Sequence, residues 1–173
     1  MTPSSPREIL MRLPRWKFKP VLPKHLSRLK AMTLFSTLDG KGLRIVHGLL
    51  HERDYLEGEV IFDEGEEGQA LYIVHSGKVV ICRQGEPETG RVTEIEAGGF
   101  FGELALLDQA PRALQARAAT PCKLGVLFRA DVQNLLETDA RTASQIALQL
   151  ARHLGRRLRA ARKTTAGDLD LCL

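Results

Sequence analysis

After a proline-broken stretch at 1–22, which allows a short helix at best and then an extended arm, apolar positions recur at helical spacing to about His51, and from about Tyr55 onward the spacing becomes that of short strands. Pro23 followed by His25-Leu26-Ser27-Arg28-Leu29-Lys30 predicts a helix with proline in its first turn. A second helix is predicted after Asp39 as N-cap, running to about His51 with Leu43, Val46, Leu49 and Leu50 on its apolar side. Strand-like pieces then follow at Glu59–Asp63, Ala70–Val74, Lys78–Arg83, Arg91–Glu96, Leu114–Ala119 and Lys123–Phe128, separated by Gly65, Gly68, Gly77, Gly85, Gly90, Gly98 and Gly99. Regular short strands with turn signals between them predict an antiparallel barrel or jelly roll. The chain ends in helix: Ala130–Glu137 is short, and Asp139 caps a long one to about Lys163, in which Ile146, Leu150, Leu154, Leu158 and Ala161 recur at steps of four, four, four and three. The fold class is therefore mainly β with flanking α: a double-stranded β-helix or jelly-roll barrel, N-terminal helices and a long C-terminal helix. A helix of about 25 residues is about 37 Å long, longer than so small a barrel covers, and its excess length needs a partner.

Composition narrows the class without changing it. At 173 residues, 43% hydrophobic and 27% charged, the chain fits one domain with a real core. Residues 1–33 read as a basic arm and helix, 34–163 as the domain, and 164–173, Thr-Thr-Ala-Gly-Asp-Leu-Asp-Leu-Cys-Leu, as a tail. No run approaches the roughly 18 apolar residues that span a bilayer, and Pro3, Pro6, Arg7, Arg12 and Pro14 stand where a signal peptide needs an apolar stretch. Cys82, Cys122 and Cys172 are odd in number and form no CxxC, which suits a reducing cytoplasm. The net charge of +4 hides segregation: basic ends, at 7–30 and 150–163, flank an acidic stretch from Glu52 to Glu67. Contacts within the chain or between subunits are the first expectation for those charges.

The chemistry concentrates in Phe100-Phe101-Gly102-Glu103-Leu104-Ala105-Leu106-Leu107 and Pro111-Arg112-Ala113. Glycine at 102 lets backbone approach a ligand, a short helix from Glu103 aims free N–H groups at an anion, and Arg112 adds a planar charged fork. This pattern resembles the phosphate-binding cassette of cyclic nucleotide-binding domains, including the nine-residue spacing from Glu103 to Arg112. An upstream segment, Glu64-Gly65-Glu66-Glu67-Gly68-Gln69-Ala70-Leu71-Tyr72-Ile73-Val74-His75-Ser76-Gly77-Lys78-Val79, is similar to the same family's glycine-rich turn and Tyr-x-Ile/Val-x-x-Gly-x-Val strand pair. The resemblance covers about residues 34–163.

The resemblance implies that Glu103 accepts a hydrogen bond from the ribose 2′-hydroxyl. Arg112 and the amides of Leu104, Ala105 and Ala113 would bind the cyclic phosphate, and Gly102 would give backbone to the ribose side. After the arginine the family usually has a small residue, Ala, then Ser or Thr, where this chain has Ala113, Leu114 and Gln115. A hydroxyl at the position of Gln115 holds the guanine amino group of cGMP in the family, so its absence favours cAMP as ligand. Leu114 adds bulk that narrows the site if it points inward. The resemblance further implies a homodimer through the C-terminal helix, whose Ile146 or Leu150 would cap the base. The expected protein is a non-enzymatic cytoplasmic sensor without cofactor or metal. It would act on an unknown downstream protein, and the chain carries no helix-turn-helix after the long helix. The alternatives are a dimerising interaction module of the same fold that has lost the nucleotide, and, less favoured, a nucleic-acid binder using the Arg face of the last helix.

Other constellations have plainer readings. His47 and His51 lie four apart in a predicted helix, as a metal pair would, but without a third ligand an ordinary helix surface is favoured. Ser76 beside His75 lacks a Gly-x-Ser-x-Gly elbow. Gly98-Gly99-x-x-Gly102 is too short for a dinucleotide fingerprint. The Trp16-Lys17-Phe18-Lys19 arm is expected to dock on the barrel rather than on a membrane.

Overall fold

Helical pieces open the described part of this computed structural model, which covers residues 22–169. The expected arm at 1–21, with Trp16 and Phe18, lies outside it. Helix α1 (Lys24–Ala31), a single 3-10 turn (Thr33–Phe35) and α2 (Gly40–Leu49) follow one another closely. The Asp39 carboxylate accepts from the N–H groups of Lys41 at 3.0 Å and Gly42 at 2.9 Å, the N-cap its position predicts. Those bonds, Gly42's first, hold the Asp39 carboxyl below the usual range.

The strands are β1 (His51–Tyr55), β2 (Val60–Phe62), β3 (Ala70–Ser76), β4 (Lys78–Arg83), β5 (Glu86–Glu96), β6 (Phe100–Phe101), β7 (Gln115–Ala118) and β8 (Cys122–Phe128). They form two four-stranded antiparallel sheets, ordered β1-β8-β3-β6 and β2-β7-β4-β5, packed as a jelly roll. A 3-10 turn, Glu103–Leu106, leads from β6, and the chain closes with α3 (Arg129–Thr138) and α4 (Ala140–Leu169).

Strand β3 explains why the core has two layers. Its Val74 packs with Phe62, Val79, Phe101 and Leu124 inside the barrel, while Leu71 and Ile73, on the other face, join the helical layer. A strand buried on both faces reads as the continuous apolar run Ala70-Leu71-Tyr72-Ile73-Val74. The helical layer contains Leu26, Leu34, Phe35, Leu38, Leu43, Val46, Ile146 and Leu150, all at most 2% exposed. Each contributes about 1.5–3 kcal/mol of burial, so the first three turns of α4 are firmly seated. Asp139 caps α4 through Thr142 N–H at 3.1 Å and pairs with Lys41 of α2 at 2.8 Å, which fixes the joint between α3 and α4.

Three expectations shift. The second helix stops at Leu49, and His51 opens β1, whose residues His-Glu-Arg-Asp-Tyr pair with β8 yet stay largely exposed. An edge strand with solvent on both faces carries no apolar alternation for the sequence to reveal. His47 and His51 therefore do not share a helix face: His47 packs on His25 at 4.5 Å and His51 on Phe128 at 5.3 Å. Helix α4 continues past Lys163 to Leu169, into the expected tail, because one glycine, Gly167, costs only about 1 kcal/mol and no proline follows. Residues 170–173 lie outside the described chain.

Candidate functional site

Phe100 and Phe101 pair with Ile73 and Tyr72, which brings the segment from Gly102 to Ala113 beside the start of β3. Gly102 then adopts φ 72°, a left-handed conformation that a side chain disfavours. A Cβ there would stand 2.7 Å from Arg112 Nη1 and 3.3 Å from the Ala70 carbonyl. The turn that follows buries Glu103 and Ala105 and leaves Leu104 exposed, and the Ala105 N–H returns to the Gly102 carbonyl at 3.3 Å.

Arg112 is placed from the opposite side. Its N–H donates to the Glu66 carbonyl at 2.8 Å, and its own carbonyl accepts from Gly65 N–H at 2.8 Å. The glycine-rich turn and the arginine, separate motifs in the sequence, are thus stitched together. The guanidinium donates from Nη1 to the Gly102 carbonyl at 3.0 Å and from Nη2 to the Ala70 carbonyl at 2.7 Å. It lies 4.1 Å from the Phe62 ring centroid and 5.8 Å from that of Tyr72, which stacks on Phe101 at 5.3 Å. Burial draws its pKa below the ordinary arginine value, opposed by Tyr72, Glu66 and Glu103. Its Nε is buried and has no hydrogen-bond partner, so one donor of the fork awaits an acceptor.

Glu103, 4% exposed, is engaged from a direction the sequence did not suggest. Arg157 of α4 donates to it from Nη1 to Oε1 at 2.5 Å. One turn earlier His153 packs on Phe100 with ring centroids 4.7 Å apart. Burial lowers the His153 pKa below its ordinary 6.5, with Glu103 opposing and Arg157 and Arg156 reinforcing the shift. Ile146 and Leu150, expected over the base, are instead 0% and 2% exposed within the helical layer. The side of α4 that meets the cassette thus runs Ile146, Leu150, His153, Arg157, at steps of four, three and four. That spacing was visible in the sequence, where the apolar stripe passes into a histidine and an arginine, but the rest of the helix is so basic that neither stood out.

The departures from the family pattern also have places. Leu114 is half-buried and Ala113 exposed. Gln115 is 3% exposed but on the opposite face of β7 from Ala116 and Ala118, which line the barrel. Its Nε2 donates to Asp63, and its Oε1 accepts from Arg117 Nε and Nη2 at 3.3 Å each. From the cassette a further tie runs to the helices: Arg129, first residue of α3, donates to the Asp108 carbonyl at 3.1 Å and to Glu67 Oε1 at 3.2 Å. Among the described residues no group of three His, Cys, Asp or Glu is arranged to hold a metal, and no helix is long and apolar enough to cross a membrane.

The chain is similar to known proteins in sequence and in fold. The profile of the cyclic nucleotide-binding domain matches residues 52–139, half of the chain. The cyclic AMP receptor protein of Thermus thermophilus is 36% identical over 84% of this chain and 63% of its own length. A cAMP-dependent protein kinase regulatory subunit of Yarrowia lipolytica is 39% identical over 60% of this chain and 26% of its own. The crystal structure of the Thermus thermophilus catabolite activator protein superposes with a TM-score of 0.68 at 34% identity, covering 77% of this chain and 61% of that one. The chain thus spans less than two thirds of each of these relatives. With that profile over half of its length and these relatives in sequence and in fold, the chain belongs to the cyclic nucleotide-binding domain family.

Proposed function

We propose that this chain is a non-enzymatic sensor that binds a cyclic purine mononucleotide, cAMP in preference to cGMP, and reports occupancy by moving α4. The observation that carries the reading is the half-finished hydrogen bonding of Arg112. Two of its donors are spent on backbone carbonyls that hold the guanidinium over the Phe62 ring, and the buried Nε has no acceptor. A phosphate oxygen supplies that acceptor with a charge-assisted bond. Leu104 and Ala113 offer backbone N–H groups to the same phosphate, Ala105 adds its own on leaving the Gly102 carbonyl it meets at 3.3 Å, Gly102 lets the chain approach, and Glu103 accepts from the ribose 2′-hydroxyl. With Gln115 facing away from the barrel and bonded to Asp63 and Arg117, no side chain at that position offers itself to a guanine amino group, which supports cAMP.

The signal follows from competition. Glu103 has a side-chain exposure of 5%, too little for ribose and Arg157 to share it freely. Nucleotide entering the cassette displaces Arg157, and His153 leaves Phe100 with it. Contraction of the cassette also pulls on Arg129 through Asp108, so α3 and α4 receive the same event by separate routes. Differential contacts of this kind shift a population between docked and released helices. Leu148 and Leu158 of α4, 51% and 63% exposed, support a homodimer through that helix, and a downstream protein reads its position.

A second reading is favoured by the same geometry: Glu103 is satisfied by the chain's own Arg157, as in an interaction module that has dispensed with nucleotide. Isothermal titration separates them. The sensor gives saturable heat with cAMP, and Arg112→Ala weakens it by about 1.5–3 kcal/mol. No heat with cAMP or cGMP at about 100 µM, which half-saturates a site of only about −5.5 kcal/mol, refutes the sensor and leaves the module.

A further inference from the structure

The outer face of the sheet that holds β1, β3 and β8 carries a cavity of about 750 Å³, none of whose lining residues belongs to the cassette. Lys24, His25 and Arg28 reach it from α1, His47 from α2, Glu52 from β1, His75 from β3 and Lys123 from β8. Leu29 and Leu50 supply an apolar wall. Its size is in the range of about 300–1,000 Å³ typical of small-molecule sites.

One glycine shapes the floor. Gly125 of β8 lies opposite Glu52 of β1, and a Cβ on it would come within 2.6 Å of His75 Nε2. The missing side chain gives the imidazole its room over β8. The charge around this floor is unbalanced. Lys123 is 3.3 Å from Asp54, but Lys24 and Arg28 have no acidic partner within ion-pair distance among the described residues, and Glu52 is the one carboxylate of the lining. The His25 and His47 rings stand 4.5 Å apart. Burial pushes the His75 pKa down, with Glu52 opposing and Arg28 and His47 adding to the shift.

We propose that this cavity is a second ligand site, for a phosphorylated small molecule of nucleotide size, separate from the cassette. Arg28 and Lys24 hold the phosphate, the His25 and His47 rings line the cavity beside it, and the apolar part of the ligand lies on Leu29 and Leu50. Divalent cations are disfavoured there by the surrounding positive charge. The proposal does not depend on cyclic nucleotide binding at Glu103 and Arg112.

The test is amide NMR of the full chain titrated with inorganic pyrophosphate. Saturable shifts are expected around His47, His75 and Gly125. Arg28→Ala is expected to weaken binding roughly tenfold, the worth of one charged contact of about 1.4 kcal/mol. Arg28 is exposed, so the variant should fold, and Lys24→Ala provides a second exposed variant with the same expectation. Arg112→Ala should leave these shifts unchanged. Shifts that do not saturate overturn the proposal, as do shifts that survive both Arg28→Ala and Lys24→Ala or vanish with Arg112→Ala.

Discussion

Replacing Arg157 with alanine should make the chain bind cAMP more tightly, because the wild type must break the Arg157–Glu103 pair before ribose can take its place. The size follows from the unequal exposure of the partners, 62% for the arginine side chain and 5% for the glutamate. A charged hydrogen bond contributes about 1.5–3 kcal/mol when protected, and an exposed ion pair about 0.2–1 kcal/mol. Water around Arg157 screens the attraction, while the buried Glu103 keeps it from vanishing, so about 1 kcal/mol is the reasoned value. That corresponds to roughly fivefold in Kd. Isothermal titration at low salt reads it, and the gain should shrink as salt rises, since the pair it removes is screened by ions. Losing a positive charge also weakens general attraction for the phosphate, so the comparison is Arg156→Ala, an exposed neighbour on the same helix whose Kd should not fall. Unchanged affinity in Arg157→Ala would mean that nucleotide leaves the pair intact. Weaker affinity, beyond that of Arg156→Ala, would mean that Arg157 helps hold the ligand and that the competitive account is wrong.

Gly102→Ala places a Cβ at φ 72° and 2.7 Å from Arg112 Nη1. It should cost about 1–2 kcal/mol, lower Tm by roughly 2–8 °C and weaken cAMP binding as the guanidinium moves; an unaltered melt and titration would contradict the described geometry. Asp39→Ala removes the cap of α2 and should cost about 1 kcal/mol, or roughly 2–4 °C in Tm, without changing nucleotide affinity. His153 has a folded pKa below its ordinary 6.5, so the undocked state binds the proton more readily. Docking of α4 should therefore be complete above that value, weaken as pH falls through it, and level off once the folded pKa is passed. Hydrogen exchange along α4 measures this, and His153→Gln should flatten the profile; an equal acid response in that variant would assign the effect elsewhere.

The parts of this fold legible in the sequence are those whose burial imprints a period. Asp39 and Asp139 cap the helices predicted for them, and β3, β4 and β8 match their apolar runs, because one or both faces of each are buried. Strand β1 was invisible because both of its faces meet solvent, and β6 because two residues, Phe100 and Phe101, are too few to show alternation. For the candidate site, the family motif and its spacing singled out Glu103 and Arg112, but what each touches was not legible. Arg112 turning back to the Ala70 carbonyl and Arg157 reaching Glu103 are contacts 42 and 54 residues apart, the first settled by how the cassette folds onto β3 and the second by how α4 crosses the cassette. No local pattern encodes such distances.

The seating of α4 makes it mechanically lopsided. Among the residues whose side chains are described, its buried ones end at Leu150, so the helix is clamped before that residue and beyond it meets the cassette through His153 and Arg157. Arg157 lies about 10 Å beyond the clamp and Leu169 about 28 Å beyond it, at 1.5 Å per residue. Such a cantilever multiplies motion: a tilt that moves Arg157 by one unit carries Leu169 through nearly three. A contact too small to reshape the barrel would in this way reach a partner several helical turns away.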